Sequence, residues 1–216
     1  MAQTLAQIRN TVRLRGDYQR SAKFDDAYVN GEIQAAFGEF YELIEEVNEG
    51  WWDTSTTATT VANQAYVTLP TGCWRVKAVD IQEGGDWREL RQVGVGDRNR
   101  YGSGTAQPRA YRLTARGADL FPTPSGVYTL RITYAPIAPT LAEATSRDYY
   151  NGWEEYVIAA ALLRLDTREE RPLGERLAEV ERQRQRVIKS ATGRRQQEPE
   201  YLNLRRGDGE DLDWWL

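Results

Sequence analysis

Side chains that could perform acid–base or metal chemistry are scarce in this sequence. It contains no histidine, which removes the commonest general base at neutral pH, the usual zinc ligand, and the Ser-His-Asp and Cys-His arrangements of hydrolases. Its single cysteine, Cys73, lies in an apolar strand candidate and is expected to be a small core residue. The sequence therefore predicts no catalytic residue, no metal site and no cofactor.

Glycine-rich and acidic segments do not change this prediction. Residues 94–97 and 102–104 contain paired glycines but lack the lysine and hydroxyl residue of a P-loop. The adjacent glutamates at 45–46 and 154–155 would point about 100° apart on a helix, so they are interpreted as helix surface. One enzymatic hypothesis stays open, in which Asp97 or Glu154 acts with Tyr101 in a pocket.

The charge of the chain argues against bulk binding of nucleic acid. The formal net charge is -4 and the pI is near 5.2, so affinity gained by neutralising phosphates is disfavoured. One basic cluster is interspersed with glutamates and is interpreted as a solvated face or an interface in preference to a DNA contact. Its members are Arg182, Arg184, Arg186, Lys189, Arg194 and Arg195.

Aromatic residues give the stronger signal. The chain has 7 Trp and 12 Tyr. Adjacent Trp or Tyr residues occur at 51–52, 149–150 and 214–215, where segments of different hydrophobic pattern meet. Aromatic residues and arginine are favoured at interface hot spots. The pairs at 51–52 and 149–150 flank the junctions between helical and strand segments, where packing between domains is the simpler explanation.

The C-terminal segment, residues 193–216, is polar and contains several glycines, yet it ends in Trp-Trp-Leu. Burying each tryptophan would contribute about 3 kcal/mol, whereas ordering each residue costs about 1 to 2 kcal/mol. Either only the tip docks on a partner, or residues 198–213 also find a surface; folding back on the same domain is the alternative. The predicted partner-binding residues are Tyr201, Leu202, Leu204, Trp214, Trp215 and Leu216.

Helical periodicity occurs at both ends of the chain. The N-terminal helices are expected to begin at the cap residues Thr4 and Asp25 and to end near residues 16 and 48. The C-terminal helices are expected to begin with Asn151 as the cap and with Pro172 at the first helical position, and the last to stop at Gly193. The helix after residue 151 is apolar on much of its circumference, which predicts a central position.

The period becomes roughly two between residues 53 and 139, which indicates strands. Turn residues between the apolar runs favour hairpins and antiparallel pairing. A helical turn is expected at residues 95–101 and a mobile loop at residues 102–108. The strand candidates are residues 54–60, 65–69, 74–83, 87–91, 110–114, 118–121 and 127–135.

Neither pair of helices can bury its apolar stripe alone, so the strands are interpreted as an insertion between two halves of one bundle. The predicted fold is α+β: a bundle of about four helices with an inserted antiparallel β domain and an extended C-terminal arm. The domains are residues 1–50 and 141–192 (bundle), 51–140 (β domain) and 193–216 (arm). No apolar run approaches the length of a membrane span, and the N-terminus is unlike a signal peptide, so a soluble, unsecreted chain without a membrane partner is expected.

Eight short motifs occur in a fixed order along about 170 residues. They are residues 4–9 (TLAQIR), 24–26 (FDD), 29–30 (VN), 40–43 (FYEL), 66–70 (YVTLP), 98–101 (RNRY), 120–124 (LFPTP) and 151–157 (NGWEEYV). In their order and spacing these motifs resemble the head-tail connector, or adaptor, proteins of tailed bacteriophages, which form a ring beneath the portal of the capsid.

The resemblance implies a structural, non-enzymatic virion protein at the head-tail interface, present in the host cytoplasm during assembly. It implies a ring, expected to be a dodecamer, that contacts the portal protein on one side and tail or nozzle proteins on the other. The C-terminal arm would clasp the portal, its partner-binding residues contacting the portal or a neighbouring subunit, and DNA would pass through the lumen without specific binding. An acidic protein suits that passage, because attraction to phosphates would hinder ejection. The alternative is a ligand- or carbohydrate-binding β module on a helical stalk.

Overall fold

The described part of the chain folds as four helices and a set of short β-sheets that lie between the second and third helices in the chain. A computed structural model describes residues 3–19, 23–101, 104–141 and 152–194. The helices are α1 (Leu5–Gly16), α2 (Asp26–Val47), α3 (Glu154–Arg168) and α4 (Gly174–Arg194). The predicted α+β class is therefore confirmed, whereas the C-terminal arm lies outside the described residues.

Local side-chain hydrogen bonds start the two N-terminal helices where the sequence predicts. The Thr4 hydroxyl accepts from the Gln7 amide at 3.2 Å, and the Gln7 side chain accepts from the Thr4 amide at 2.8 Å, which completes a capping box. At α2 the Asp25 carboxylate accepts from the Tyr28 amide at 2.7 Å. Both starts depend on contacts within one helical turn.

The two C-terminal helices begin later than predicted. The cap of α3 is Trp153, which makes no side-chain capping bond, so Asn151, outside the described residues, is not the cap. Helix α4 begins at Gly174, and the prediction of Pro172 at its first helical position is wrong by two residues. Its C-terminal end at Arg194 is within one residue of the predicted stop.

All four helices contribute to one hydrophobic cluster, represented by Ile8, Phe37, Val157 and Val187. Helix α3 lies at its centre, since it packs on each of the other helices and most of its residues are buried. The predicted central position of this helix is confirmed. Shared packing explains why the two halves need each other: no pair of helices encloses the apolar face of α3 without the others.

The strands within the described residues form two four-stranded sheets and one two-stranded ladder. The first sheet has the order β1 (Thr54–Thr59), β10 (Thr129–Pro136), β3 (Cys73–Glu83), β4 (Asp86–Glu89). The second has the order β2 (Tyr66–Val67), β8 (Gly117–Phe121), β7 (Ala110–Thr114), β5 (Arg91–Gln92). The ladder joins β6 (Thr105–Ala106) to β9 (Thr123–Pro124).

Pairing is mainly antiparallel, as the turn residues predict. Gly84 and Gly85 take positive φ between β3 and β4, which suits a two-residue hairpin turn. Two short ladders, β5 with β7 and β6 with β9, are parallel instead. The loop expected at residues 102–108 contains β6, and residues 95–101 form the expected short helical turn as a 3-10 helix.

A second hydrophobic cluster lies among the strands and includes Val79, Leu120 and Ile132. Cys73, expected in the core, is only partly buried at the start of β3. The two clusters are consistent with a bundle and an inserted β region. The division into domains at residues 1–50, 51–140, 141–192 and 193–216 stays a prediction. Among the described residues, no helix has the length and apolar character needed to cross a bilayer.

Candidate interaction surfaces

The predicted partner-binding residues of the arm, Tyr201 to Leu216, lie outside the described residues, so the structure does not place them. It does place the base of the arm. Ala191, in the last turn of α4, is buried, and its carbonyl accepts from the Asn48 side-chain amide at 3.5 Å. Asn48 is the C-cap of α2 and precedes β1 by a few residues. The last turn of α4 therefore lies beside the connection between α2 and the β region.

Aromatic packing fills this junction. Trp52 stacks on Tyr41 with ring centroids 4.5 Å apart, and its indole nitrogen donates to the Tyr41 carbonyl at 3.2 Å. The ring centroids of Trp51 and Trp153 lie 6.2 Å apart. Trp153 belongs to the hydrophobic cluster of the bundle, and Trp51 packs against it. The simpler explanation of the pair at 51–52, packing between the helical and strand regions, agrees with these contacts. Residues 149–150 lie outside the described part of the chain.

A buried ion pair crosses the same junction. Lys77 on β3 pairs with Glu45 and Glu49 near the end of α2, and the Glu45 side chain is fully buried. Burial opposes the charge of Lys77, but hydrogen bonds to the two glutamates outweigh it and raise the pKa of the ammonium. Because a buried carboxylate without its cation would be strongly unfavourable, this pair fixes the β region against the bundle.

A second polar cluster lies at the other end of α4. Asp166 on α3 is buried and accepts from the Tyr18 hydroxyl at 2.5 Å and from the Arg176 Nε at 2.7 Å. Arg171 stands 3.7 Å from the same carboxylate and donates to the Gly16 carbonyl at 2.9 Å. Burial first, and then the hydrogen bond to Asp166, raises the pKa of the Tyr18 phenol above its ordinary value. The cluster joins α1, α3 and the start of α4.

An open groove of about 990 Å³ lies beside this cluster. Ala159 and Leu162 contribute apolar lining, and most of the other lining residues are charged side chains of α1, α3, α4 and the connection between α3 and α4. Its Arg15 is held by Glu155, and the hydrogen bond from Arg15 lowers the pKa of the Glu155 carboxyl. Arg15, Asp166 and Arg176 at the groove are thus engaged in holding helices together.

Of the residues of the enzymatic hypothesis, Glu154 lies on a different element from Tyr101, whereas Asp97 lies on the same one. Asp97 and Tyr101 belong to the 3-10 helix, and Asp97 pairs with Arg100 at 3.2 Å. Glu154 opens α3 in the bundle. Within the described residues no group of His, Cys, Asp and Glu side chains could hold a metal ion.

Two arginines of the basic cluster on α4 are paired along their own helix. Arg182 pairs with Glu179, and Arg184 lies 4.0 Å from Glu181. Arg186 and Lys189 are exposed. This arrangement agrees with the interpretation of a solvated face or an interface, and Arg195 lies outside the described residues.

One candidate surface has no signal in the sequence. Among the described strands, β1 forms an edge of the first sheet and pairs with β10 alone, and it is largely exposed. Threonine-rich alternation predicts a strand at these positions, but nothing local indicates that it stands at an edge, because strand order depends on pairing across the whole β region.

Comparison with known families gives a match over nearly the whole chain. Residues 3–206 match the model of the SU10 adaptor protein family. The matched range includes the four helices, the β region and the first part of the arm. No curated protein matches the chain.

Proposed function

The chain belongs to the SU10 adaptor protein family, and on that premise we propose that it forms a ring that joins the portal of a phage head to the tail. Membership in this family implies a structural protein of the phage particle with a non-enzymatic role. The finer statements are our proposal: a homo-oligomeric ring, with twelve copies expected, that docks on the portal through the C-terminal arm and lines the DNA passage. The observation that carries it is the match from residue 3 to residue 206.

Assembly would proceed by ordered docking after synthesis in the host cytoplasm. The bundle would act as one rigid body, since its four helices share one hydrophobic cluster. Neighbouring copies would pack laterally through a heterologous contact that closes the ring. The arm would then order on the portal, while tail or nozzle proteins bind the opposite side.

Repetition around the ring would make a modest contact durable. One docked tip contributes only a few kcal/mol, but each later contact forms at a high effective concentration once the first copies are bound. The net charge of -4 fits a passage that DNA must leave quickly, because an acidic lining does not retain phosphates.

The test is assembly on the portal protein of the same phage, followed by size-exclusion chromatography with light scattering. The full chain should join the portal as a ring. Deletion of residues 211–216 should leave a folded chain that does not stay bound. The variant Trp214→Ala with Trp215→Ala should dissociate faster, whereas the control Trp214→Phe with Trp215→Phe should remain, because it keeps most of the aromatic area.

Retention of the deletion variant at normal occupancy would contradict docking through the arm. A full chain that never joins a portal assembly would contradict the adaptor function itself. A monomer in isolation would not, because the portal is the expected template for the ring.

A further inference from the structure

The outer edge of β1 carries backbone groups with no partner in the described part of the chain. The Thr60 amide donates to the Tyr128 carbonyl at 2.9 Å, which fixes the phase of the antiparallel pairing with β10. Residues 54, 56 and 58 therefore direct their amides and carbonyls toward β10. Ser55, Thr57 and Thr59 direct theirs away from the sheet, where no described backbone group pairs with them.

This edge lacks the features that normally keep an exposed strand from pairing. Strand β1 has the sequence TSTTAT, without a charge or a proline, and its register with β10 is unbroken by a bulge. The opposite edge of the sheet, β4, has the sequence DWRE and is charged at three of its 4 positions. Long, uncharged, regular edges are templates for a further strand, so β1 is expected to be covered in the working protein.

The base of the arm lies beside Asn48, which is six residues before the start of this edge. The Ala191 carbonyl contacts the Asn48 amide at 3.5 Å, and Asn48 stands shortly before β1 in the chain. Six residues beyond Arg194 span at most about 20 Å when extended. Residue 200 can therefore lie beside β1 in the same molecule.

The arm contains one segment suited to the edge. Residues 200–205, which lie outside the described residues, have the sequence EYLNLR. Tyr201 and Asn203 alternate with Leu202 and Leu204, no proline interrupts the run, and β1 has the matching length of 6 residues.

We propose that residues 200–205 add to the edge of β1 in the same chain as a further strand of the first sheet. The two strands would run parallel, because both leave the bundle at the same end. This inference deepens the docking proposal, on which its functional meaning rests. Fixing residues 200–205 shortens the free part of the arm and lowers the entropic cost of placing Trp214 and Trp215 on the portal.

Residue-resolved amide exchange by NMR on the isolated full chain tests the proposal. In the wild type, the amides of Ser55, Thr57 and Thr59 should be protected together with those of residues 54, 56 and 58. In the variant Leu202→Pro with Asn203→Pro, the three outward amides should exchange at least about tenfold faster. Residues 54, 56 and 58 should not change and serve as the internal control.

The control Leu202→Ala with Asn203→Ala keeps both backbone amides and should retain protection at Ser55, Thr57 and Thr59. Prolines at adjacent positions remove a donor from each side of the added strand, so the result does not depend on which side faces β1.

Free exchange of the outward amides in the wild type would overturn the proposal. So would protection that survives the two prolines, or protection that rises with protein concentration, which would indicate β1 pairing with a second copy. The experiment uses no portal, so its failure leaves portal docking untouched, and loss of docking with intact protection at β1 would contradict only the proposed function.

Discussion

Replacing Asp166 by asparagine should destabilise the bundle, because one buried carboxylate serves donors from two other parts of the fold. One oxygen accepts from Tyr18 at 2.5 Å and the other from Arg176 at 2.7 Å. An amide offers only one acceptor oxygen, so one of these donors would face an NH₂ group. The side chain is 4% exposed, so water cannot replace the lost acceptor.

The size of the effect follows from these contacts. Breaking a buried ion pair by removing one partner costs about 3 to 5 kcal/mol. The side chain of Arg176 is 30% exposed and that of Arg171 is 41% exposed, so both cations retain some hydration and the lower end of that range applies. We expect Asp166→Asn to lower the free energy of unfolding by about 3 kcal/mol. For a chain of this size that corresponds to a decrease in Tm of about 6 to 12 °C.

Urea unfolding followed by tryptophan fluorescence measures this change, since Trp51 and Trp153 report on the bundle. The control is Glu181→Gln on the exposed side of α4, which should change stability by less than about 0.5 kcal/mol. Tyr18→Phe should cost less in the Asp166→Asn background than in the wild type, because the two side chains share one hydrogen bond. A change below about 0.5 kcal/mol for Asp166→Asn, or equal costs of Tyr18→Phe in both backgrounds, would refute the reasoning.

Three further variants test the β region and its junction. Gly117→Ala should cost about 3 kcal/mol or more in urea unfolding, because Gly117 has a φ of 142° and a Cβ there would lie 2.1 Å from a backbone oxygen; Gly126→Ala, with open space around it, should be nearly neutral. Lys77→Met should cost about 3 to 5 kcal/mol by leaving the buried Glu45 without its cation, and Glu45→Leu in the same chain should recover part of the loss; no recovery would count against the ion pair. Burial opposes the charge of Asp119, but hydrogen bonds from arginines outweigh this effect and lower the pKa of the carboxyl in the folded protein. The ionised carboxylate therefore stabilises the fold fully above the pKa of an unfolded aspartate, about 3.9, and this stabilisation is lost as the pH falls through the lower pKa of the folded state. In Asp119→Asn the free energy of unfolding should fall less steeply as the pH is lowered below about 4, and an unchanged dependence on pH would contradict this role of Asp119.

The parts of the fold that the sequence predicts are those fixed by local contacts. The caps at Thr4 and Asp25 depend on hydrogen bonds that close within one turn, so residue type and spacing are sufficient. The start of α3 depends on packing instead. The ring centroids of Trp153 and Phe40 on α2 lie 5.7 Å apart, and this contact joins residues that are far apart in the sequence. A cap motif at Asn151 could not reveal it.

Strand order is the other feature that local patterns do not determine. The ladder of β6 with β9 joins residues 105–106 to residues 123–124 through backbone groups, which carry no residue-specific signal. The same holds for β1, where alternation predicts a strand but not a free edge. The aromatic pair at residues 51–52 predicted long-range packing better, because Trp51 and Trp52 do pack at the junction between the helices and the strands. The arm residues from Tyr201 to Leu216 remain predictions.

A cryo-EM reconstruction of the full chain assembled on the portal protein of the same phage would test the central claim most directly. The account predicts a closed ring beneath the portal, with Trp214, Trp215 and Leu216 of each copy buried against the portal. A ring held by other surfaces while these residues stay in solvent would contradict docking through the arm. A chain that binds no portal under conditions where the portal is intact would contradict the account as a whole.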